Sequence, residues 1–215
     1  MLLNAKTVLV GSEVLLVPYR AEHVLRYHEW MSDPQIREAT ASEELSLEEE
    51  YEMQKLTFIV LRRIPDLLPS DPTFLLQHGV DQMVGDVNVF LSQAYDSDPD
   101  SDSEFATSPP TPPRTRCEVE LMIAVSSTRR QGFGQAALKI FLSYASKELK
   151  LPPSAFFSRI GIKNAPSLAL FEKLGFSKIK VVEAFGEVEM GYTGEHDKWG
   201  WEPAYEILEV NQETL

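Results

Sequence analysis

Arg129-Arg130-Gln131-Gly132-Phe133-Gly134 follows the apolar run Leu121 to Val125 and precedes a helical pattern that opens near Gly132. The order predicts strand, turn and helix. Two glycines let the backbone turn tightly and approach a ligand with no Cβ in the way. The first turn of the helix aims unpaired N–H groups at the same spot, and the helix dipole adds positive character there. Such a nest of amides is an anion site. The plainer alternative is a tight turn with no ligand, because Gly-rich turns before helices are common.

Downstream of this turn, Phe133, Ala136-Ala137, Ile140-Phe141 and Tyr144-Ala145 share one face of a helix running to Leu149. Pro152-Pro153 breaks the chain, and Ala155 to Ile162 reads as the next strand. Asn164 caps a second helix with Ala165-Pro166 in its first turn, a stripe of Leu168, Phe171 and Leu174, and Gly175 as its stop. Phe176 to Val182 and Glu187 to Tyr192 predict a hairpin, and the tail from Gly194, with Trp199, Trp201 and Tyr205, is expected to dock as a short helix. Upstream, Val14 to Val17 reads as a strand and Ala21 to Met31 as a helix closed by Asp33-Pro34. Ser46 with Glu49 has capping-box spacing for another short helix continuing through Met53 and Gln54. Thr57 to Leu61 and Met83 to Leu91 read as strands, the latter with a bulge at Gly85, while the Pro-bearing stretch 62–79 reads as irregular. Residues 92–113 are rich in Asp, Ser and Pro and bury nothing, so they predict a disordered insertion; Ser101-Asp-Ser-Glu104, Ser108-Pro and Thr111-Pro there look like kinase targets. Cys117 to Val125 then resumes as a strand. The expectation is an α/β (α+β) fold in a single domain over 1–193, interrupted at 92–113 and followed by a tail at 194–215.

The chain has 215 residues, 43% of them hydrophobic, enough for one substantial core. Its formal net charge is −13 and its pI about 4.8, which argues against nucleic acid as a ligand and suits a basic substrate. One cysteine, Cys117, excludes internal disulfides and any cysteine-based zinc site, and points to a reducing, cytoplasmic compartment, with the nucleus open. His23, His28, His78 and His196 show no metal-ligand spacing; His23 and His28 read as ordinary surface or interface residues, and Tyr27 and Trp30 as core in preference to substrate contacts. No long apolar run or secretory signal is visible, so no membrane partner is expected. No residue pattern indicates an oligomeric state.

The pattern Arg-x-x-Gly-x-Gly after a strand resembles the pyrophosphate loop of the Gcn5-related N-acetyltransferases (GNAT), which bind acetyl coenzyme A. Asn164-Ala-Pro-Ser167, Leu170-Phe171 and Lys173-Leu-Gly-Phe176 are similar to the family's second cofactor segment. Val17-Pro-Tyr19, His28-Glu-Trp30, Asp33-Pro34 and Met83-Val-Gly85-Asp-Val are similar to the branch that acetylates ribosomal-protein N-termini. With Thr40-Ala-Ser-Glu43 and Leu121-Met-Ile-Ala124, the whole chain looks closest to the eukaryotic N-acetyltransferase 9-like members. The resemblance implies a mixed, largely antiparallel sheet of about seven strands with flanking helices, in which two parallel strands splay apart. It implies acetyl-CoA as cosubstrate and no metal. By position, the amides of Gln131, Gly132, Phe133, Gly134 and Gln135 would hold the pyrophosphate, flanked by Arg129 and Arg130. Met122, Ile123, Ala124 and Val125 would offer backbone groups to the pantetheine arm, and Asn164, Ser167 and Phe171 would sit beside it. Many relatives carry a Tyr at the Phe171 position as acid for the departing thiolate, and phenylalanine has no proton to give.

Acetyl transfer needs a neutral amine. An α-amine is partly neutral near pH 7, whereas a lysine needs more help. Glu118 and Glu120 lie two apart on one strand and so share a sheet face, which is either solvent or the substrate cleft. Glu120 is the first candidate base and Glu118 the second. A protein N-terminal α-amine is the favoured acceptor; a protein lysine, or a non-catalytic acetyl-CoA-binding interaction module, is the alternative. Gly132-Phe-Gly134-Gln-Ala-Ala137 also satisfies a dinucleotide fingerprint, but the next strand ends in Gly161-Ile-Lys163 with no acid for a ribose.

Overall fold

The computed structural model describes residues 5–40, 42–52, 57–71, 73–94, 114–194 and 197–210. Val14–Pro18 (β2) shows why the sheet lies between two layers. All five of its residues are buried, a continuous apolar run that only a strand covered on both faces can carry. Val14 and Leu16 join the core beneath the long helix Phe133–Leu149 (α5), while Leu15 and Val17 join a second core with Val24, Trp30 and Met31 of the helix Ala21–Met31 (α1). The other strands are Thr7–Val10 (β1), Phe58–Arg62 (β3), Met83–Ala94 (β4), Arg114–Ile123 (β5), Phe156–Gly161 (β6), Phe176–Val182 (β7), Glu187–Tyr192 (β8) and Glu206–Glu209 (β9). They form one sheet in the order β7-β8-β6-β5-β4-β3-β2-β1-β9, antiparallel except for the β5–β6 pair. The remaining helices are Pro34–Thr40 (α2), Leu47–Glu52 (α3), Phe74–Gln77 (α4) and Ala165–Lys173 (α6).

Among the described residues nine strands stand where about seven were expected. The added pair is β1, which turns back into β2 at Gly11, and β9, which pairs with β1 over Thr7–Val10. The tail therefore contributes an edge strand at Glu206–Glu209 in place of the expected docked helix. Before that strand, Trp199 stacks on Trp201 at 4.9 Å and packs against Phe156 and Tyr192. The Tyr192 hydroxyl donates to the Lys198 carbonyl at 2.6 Å and accepts from the Gly200 N–H at 2.7 Å. Tyr192→Phe removes both bonds and leaves two backbone groups unmatched, at about 1–3 kcal/mol each if they stay dry. A thermal melt should fall by several degrees, at roughly 2–4 °C per kcal/mol for a chain of this size; an unchanged melt would mean that the tail does not contribute to the domain's stability.

The stretch read as irregular, 62–79, contains α4, whose Phe74 is buried in the second core and whose His78 ring accepts from the Ile64 N–H at 2.8 Å. The bulge expected at Gly85 is present: Val60 pairs with Gly85 and Leu61 with Met83, so Val84 is the extra residue. The Ser46–Glu49 capping box forms, with the Ser46 N–H donating to Glu49 Oε2 at 2.8 Å and the Glu49 N–H to Ser46 Oγ at 3.3 Å; residues 53–54 lie outside the described residues. Strand β4 continues to Ala94, three residues past its expected end, and the rest of the insertion, 95–113, lies outside the described residues.

Candidate functional site

Strand β5 is flanked unequally. Strand β4 accompanies it to Ile123, whereas β6 pairs with it at Cys117–Phe156 and Glu118–Phe157 and then diverges. The Ala124 N–H donates to the Val84 carbonyl at 2.9 Å. Antiparallel ladders alternate, so counting back from that bond turns the backbone groups of Met122, Glu120 and Glu118 towards β4. Those of Ile123 and Leu121 turn into the gap that β6 has left. The Val125 N–H also points at the Val84 carbonyl, at 3.4 Å. Of the four residues expected to meet a pantetheine arm, Ile123 is the one whose amide faces the gap, and Leu121 joins it.

The glycine turn closes one end of this gap. Arg130 and Gly132 both take left-handed backbone, at φ 61° and 94°, which glycine adopts at no steric cost. The first α5 bond runs from the Ala136 N–H to the Gly132 carbonyl at 2.9 Å, so the amides of Phe133, Gly134 and Gln135 precede the helical ladder. A Cβ on Gly134 would meet Leu121 Cδ2 at 3.2 Å, Leu170 Cδ2 at 3.4 Å and Ile123 Cγ1 at 3.5 Å. Gly134 thus packs closely against Leu121 and Ile123 of β5 and Leu170 of α6, with little room for a side chain. The Arg129 guanidinium does not reach outwards: its Nε donates to the Ile123 carbonyl at 2.8 Å and Nη2 to the Ala124 carbonyl at 3.1 Å, fastening the turn to the end of β5. Gln131 Nε2 donates to the Ser127 carbonyl at 2.6 Å. A diphosphate followed by an extended amide-bearing arm fits these features: free amides at the start of a 17-residue helix, then a strand edge where the Ile123 N–H and the backbone groups of Leu121 face the gap while Arg129 holds the Ile123 carbonyl.

At its other end the gap opens into a cleft of about 680 Å³, lined among others by Tyr27, Asp86, Glu120, Ser158, Phe171 and Phe185. Asn164 and Ser167 line it as well. Both polar ends of the Asn164 amide are engaged, Oδ1 accepting from the Ser167 N–H at 3.2 Å and Nδ2 donating to the Ala39 carbonyl at 3.3 Å, which ties α6 to the end of α2. Phe171 is buried edge-on against Phe176 at 5.1 Å.

The two candidate bases have different surroundings. Glu118 accepts from Arg159 Nη1 at 2.8 Å, in a network where Arg116 meets Glu189 at 2.8 Å. Glu120 lines the cleft, and burial first, then the charge of Glu118, raises its carboxyl above the usual range, against a hydrogen bond from Asn88. Asp86 and Asn88 escaped the sequence reading. They stand opposite Met122 and Glu120 and share the cleft face. Alternation was the available signal: in Val84 to Val89 the valines at 87 and 89 face the core, which sets Asp86 and Asn88 on the other side. Tyr27, read as core, packs against the second core and also faces the cleft. Burial, then Asp86, Tyr19, Glu50 and Glu120, hold its hydroxyl protonated. Trp30 is core. His23 is buried and accepts from the Arg20 N–H at 3.1 Å, and His28 Nδ1 lies 3.2 Å from Glu50 Oε2. Among the described residues, no helix is long and apolar enough to cross a membrane and no group of three or more acidic, His or Cys side chains is placed to hold a metal ion.

Comparison with known proteins agrees with this geometry. The profile of the acetyltransferase (GNAT) domain family matches residues 13–177. An N-acetyltransferase 9-like protein of Nematostella vectensis is 40% identical, over 89% of this chain and 88% of its own. The alpha/beta-tubulin-N-acetyltransferase 9 of Drosophila melanogaster is 41% identical, over 87% of each chain. Among solved structures, an acetyltransferase of the GNAT family from Bacillus anthracis superposes with a TM-score of 0.56 at 15% identity, covering 85% of this chain and 96% of that one. The chain belongs to the GNAT acetyltransferases and is an N-acetyltransferase, an enzyme class whose acyl donor is acetyl-CoA.

Proposed function

We propose that this GNAT enzyme acetylates the α-amine of a protein N-terminus, with tubulin chains, the substrate in the name of its Drosophila melanogaster relative, as first candidates. The observation that carries this reading is Glu120 on the wall of an open cleft, beside the opening between β5 and β6, with its backbone end packed and much of its side chain exposed. Acetyl-CoA supplies an activated acyl thioester. The chain's own work is to hold it, to seat the amine and to take away a proton. The amides at the start of α5 hold the diphosphate, and the edges of Leu121 and Ile123 hold the arm. Glu120 removes a proton from the incoming amine. Its carboxyl is raised by burial, which makes it a better base than a solvated glutamate, and an α-amine is easier to deprotonate than a lysine. Glu118, tied to Arg159, orients the strand and adds negative charge behind Glu120. Phe171 gives no proton, so the leaving sulfur takes one from water in the cleft or departs as thiolate. A cytoplasmic location, with the nucleus open, is part of the proposal and is supported by the single cysteine, Cys117.

The test is a mass-spectrometric screen with purified protein and acetyl-CoA. One peptide set has free α-amines, tubulin N-termini included; the other has blocked α-amines and internal lysines. Acetylation confined to the first set is expected. Acetylation confined to lysines would overturn the α-amine assignment, and coenzyme A binding without transfer would return the chain to an interaction role.

A further inference from the structure

Asp86 and Asn88 have no role in the scheme above, yet they occupy its centre. The β4–β5 register sets Asn88 directly opposite Glu120 and Asp86 on the diagonal, all on the cleft face. Asp86 is 3% exposed and still lines the cleft. The Asn88 side chain stands beside both carboxyls and acts to lower each of them. Among the described residues nothing bonds Asp86 Oδ1 or Asn88 Oδ1, although both atoms are sealed from bulk solvent. Buried acceptors are nearly always matched, and unmatched ones are costly. These orphans lie in one wall, next to the carboxyl that is to receive a proton. A primary ammonium has three N–H donors and the opposite charge.

We propose that Asp86 and Asn88 turn their Oδ1 atoms into the cleft as the amine arrives and, with the Glu120 carboxylate, seat the substrate's ammonium, each accepting one of its N–H groups. The proposal rests on amine acetylation as the function and names the residues that select a primary amine. The amine thus binds as R–NH3+ and surrenders its first proton to Glu120 only within the seat. Burial, then the charge of Glu120, pushes Asp86 up to about 8, so near neutrality it holds a proton before the amine arrives. The groups around it are Glu120 from β5, Asn88 from β4 and Tyr27 from α1, with Glu50 of α3 and Tyr19 acting on the Tyr27 hydroxyl. A cation in the seat offsets both causes. Asp86 then gives its O–H proton to solvent as the ammonium settles: one H+ leaves per amine bound, and no other bond changes.

Steady-state kinetics on Asp86→Asn and Asn88→Ala, with an accepted peptide, provide the test. Each should raise KM for the amine by roughly 10–100-fold, the worth of a buried hydrogen bond to a charged group, with coenzyme A affinity unchanged. Calorimetry in buffers of different ionisation heat should show one proton released per amine by the wild type and none by Asp86→Asn. Stability separates this from a structural role. A raised folded-state value contributes stability below the unfolded value of Asp and loses it as pH rises through about 8. Asp86→Asn should therefore melt at or above wild type at about pH 9. An unchanged amine KM would assign the orphan atoms to a buried water and overturn the seat; so would a lower melt together with lost coenzyme A affinity. If the wild type acetylates no peptide, the proposed function fails, but n-butylammonium titrated against tetramethylammonium still decides the seat. A shift of the Asn88 side-chain amide resonance with the first and not with the second supports it, and equal responses refute it.

Discussion

Replacing Glu120 by glutamine should lower kcat by roughly 10²–10⁴-fold, the span of a general base, while coenzyme A affinity stays within about twofold. The side chain sits on the cleft face of β5, whereas the amides proposed to hold the diphosphate are at the far end of the gap. Glutamine keeps the shape and the contact with Asn88 but takes no proton. The pH profile makes the test specific. The kcat profile reports groups in the bound complex, and protonation of Glu120 removes the acceptor, so wild-type kcat falls on the acid side. That limb should disappear in the variant. Burial raises this carboxyl in the folded chain, so its ionised form weakens the fold as pH rises through the raised value. Glu120→Gln should consequently melt no lower than wild type, and the gap should widen towards alkaline pH. Full activity across pH would remove Glu120 as base and leave catalysis to positioning and the amine's own ionisation.

How much of this was legible depends on the range of the interactions. The glycine turn could be read because strand, turn and helix are neighbours in sequence, and Gly132 at φ 94° is a local requirement. The Asn164 cap was legible for the same reason. Asp33-Pro34 was read as the stop of α1, but it also starts α2: Asp33 Oδ1 accepts from the Gln35 N–H at 2.8 Å and Pro34 takes the first helical position. The same residues serve as stop and start, so the pattern was ambiguous and α2 was missed. Strand β9 has four residues, Glu-Ile-Leu-Glu, with little periodicity of their own; it forms because β1 presents an unpaired edge. The cleft wall was least legible. Glu120 meets Asn88 and Asp86 only through a register set across the insertion, and no local pattern in either strand states that register. The acids on β5 were found because they were sought there, and their partners on β4 were not.

Gly134→Asp should weaken coenzyme A binding by at least about 100-fold in calorimetry, with the fold retained. Two effects act in the same direction. A carboxylate at the second position of α5 brings negative charge to the amides that must hold diphosphate, reversing an interaction of about 0.3–1 kcal/mol per charge, doubled for a dianion. The larger effect is steric and dielectric. The new Cβ meets Leu121 and Leu170 at 3.2 and 3.4 Å, so the carboxylate is forced among apolar side chains beside the strand edge proposed to carry the arm. A charge there without a partner costs several kcal/mol and is relieved only by spreading β5 from α6 or filling the gap. Gly134→Ala separates the two effects. Its methyl faces the ends of flexible side chains that give by a few tenths of an ångström, so a loss of tenfold or less is expected. Gly132→Ala is the converse control. Its Cβ would meet Glu13 Oε2 at 3.4 Å, an ordinary contact, but alanine at φ 94° is strained. That variant should lose about 1–2 kcal/mol of stability and distort the turn that aims the amides. If Gly134→Asp binds coenzyme A as tightly as wild type, the diphosphate does not sit at this helix end, and Leu121, Ile123 and the gap between β5 and β6 lose their assigned occupant with it.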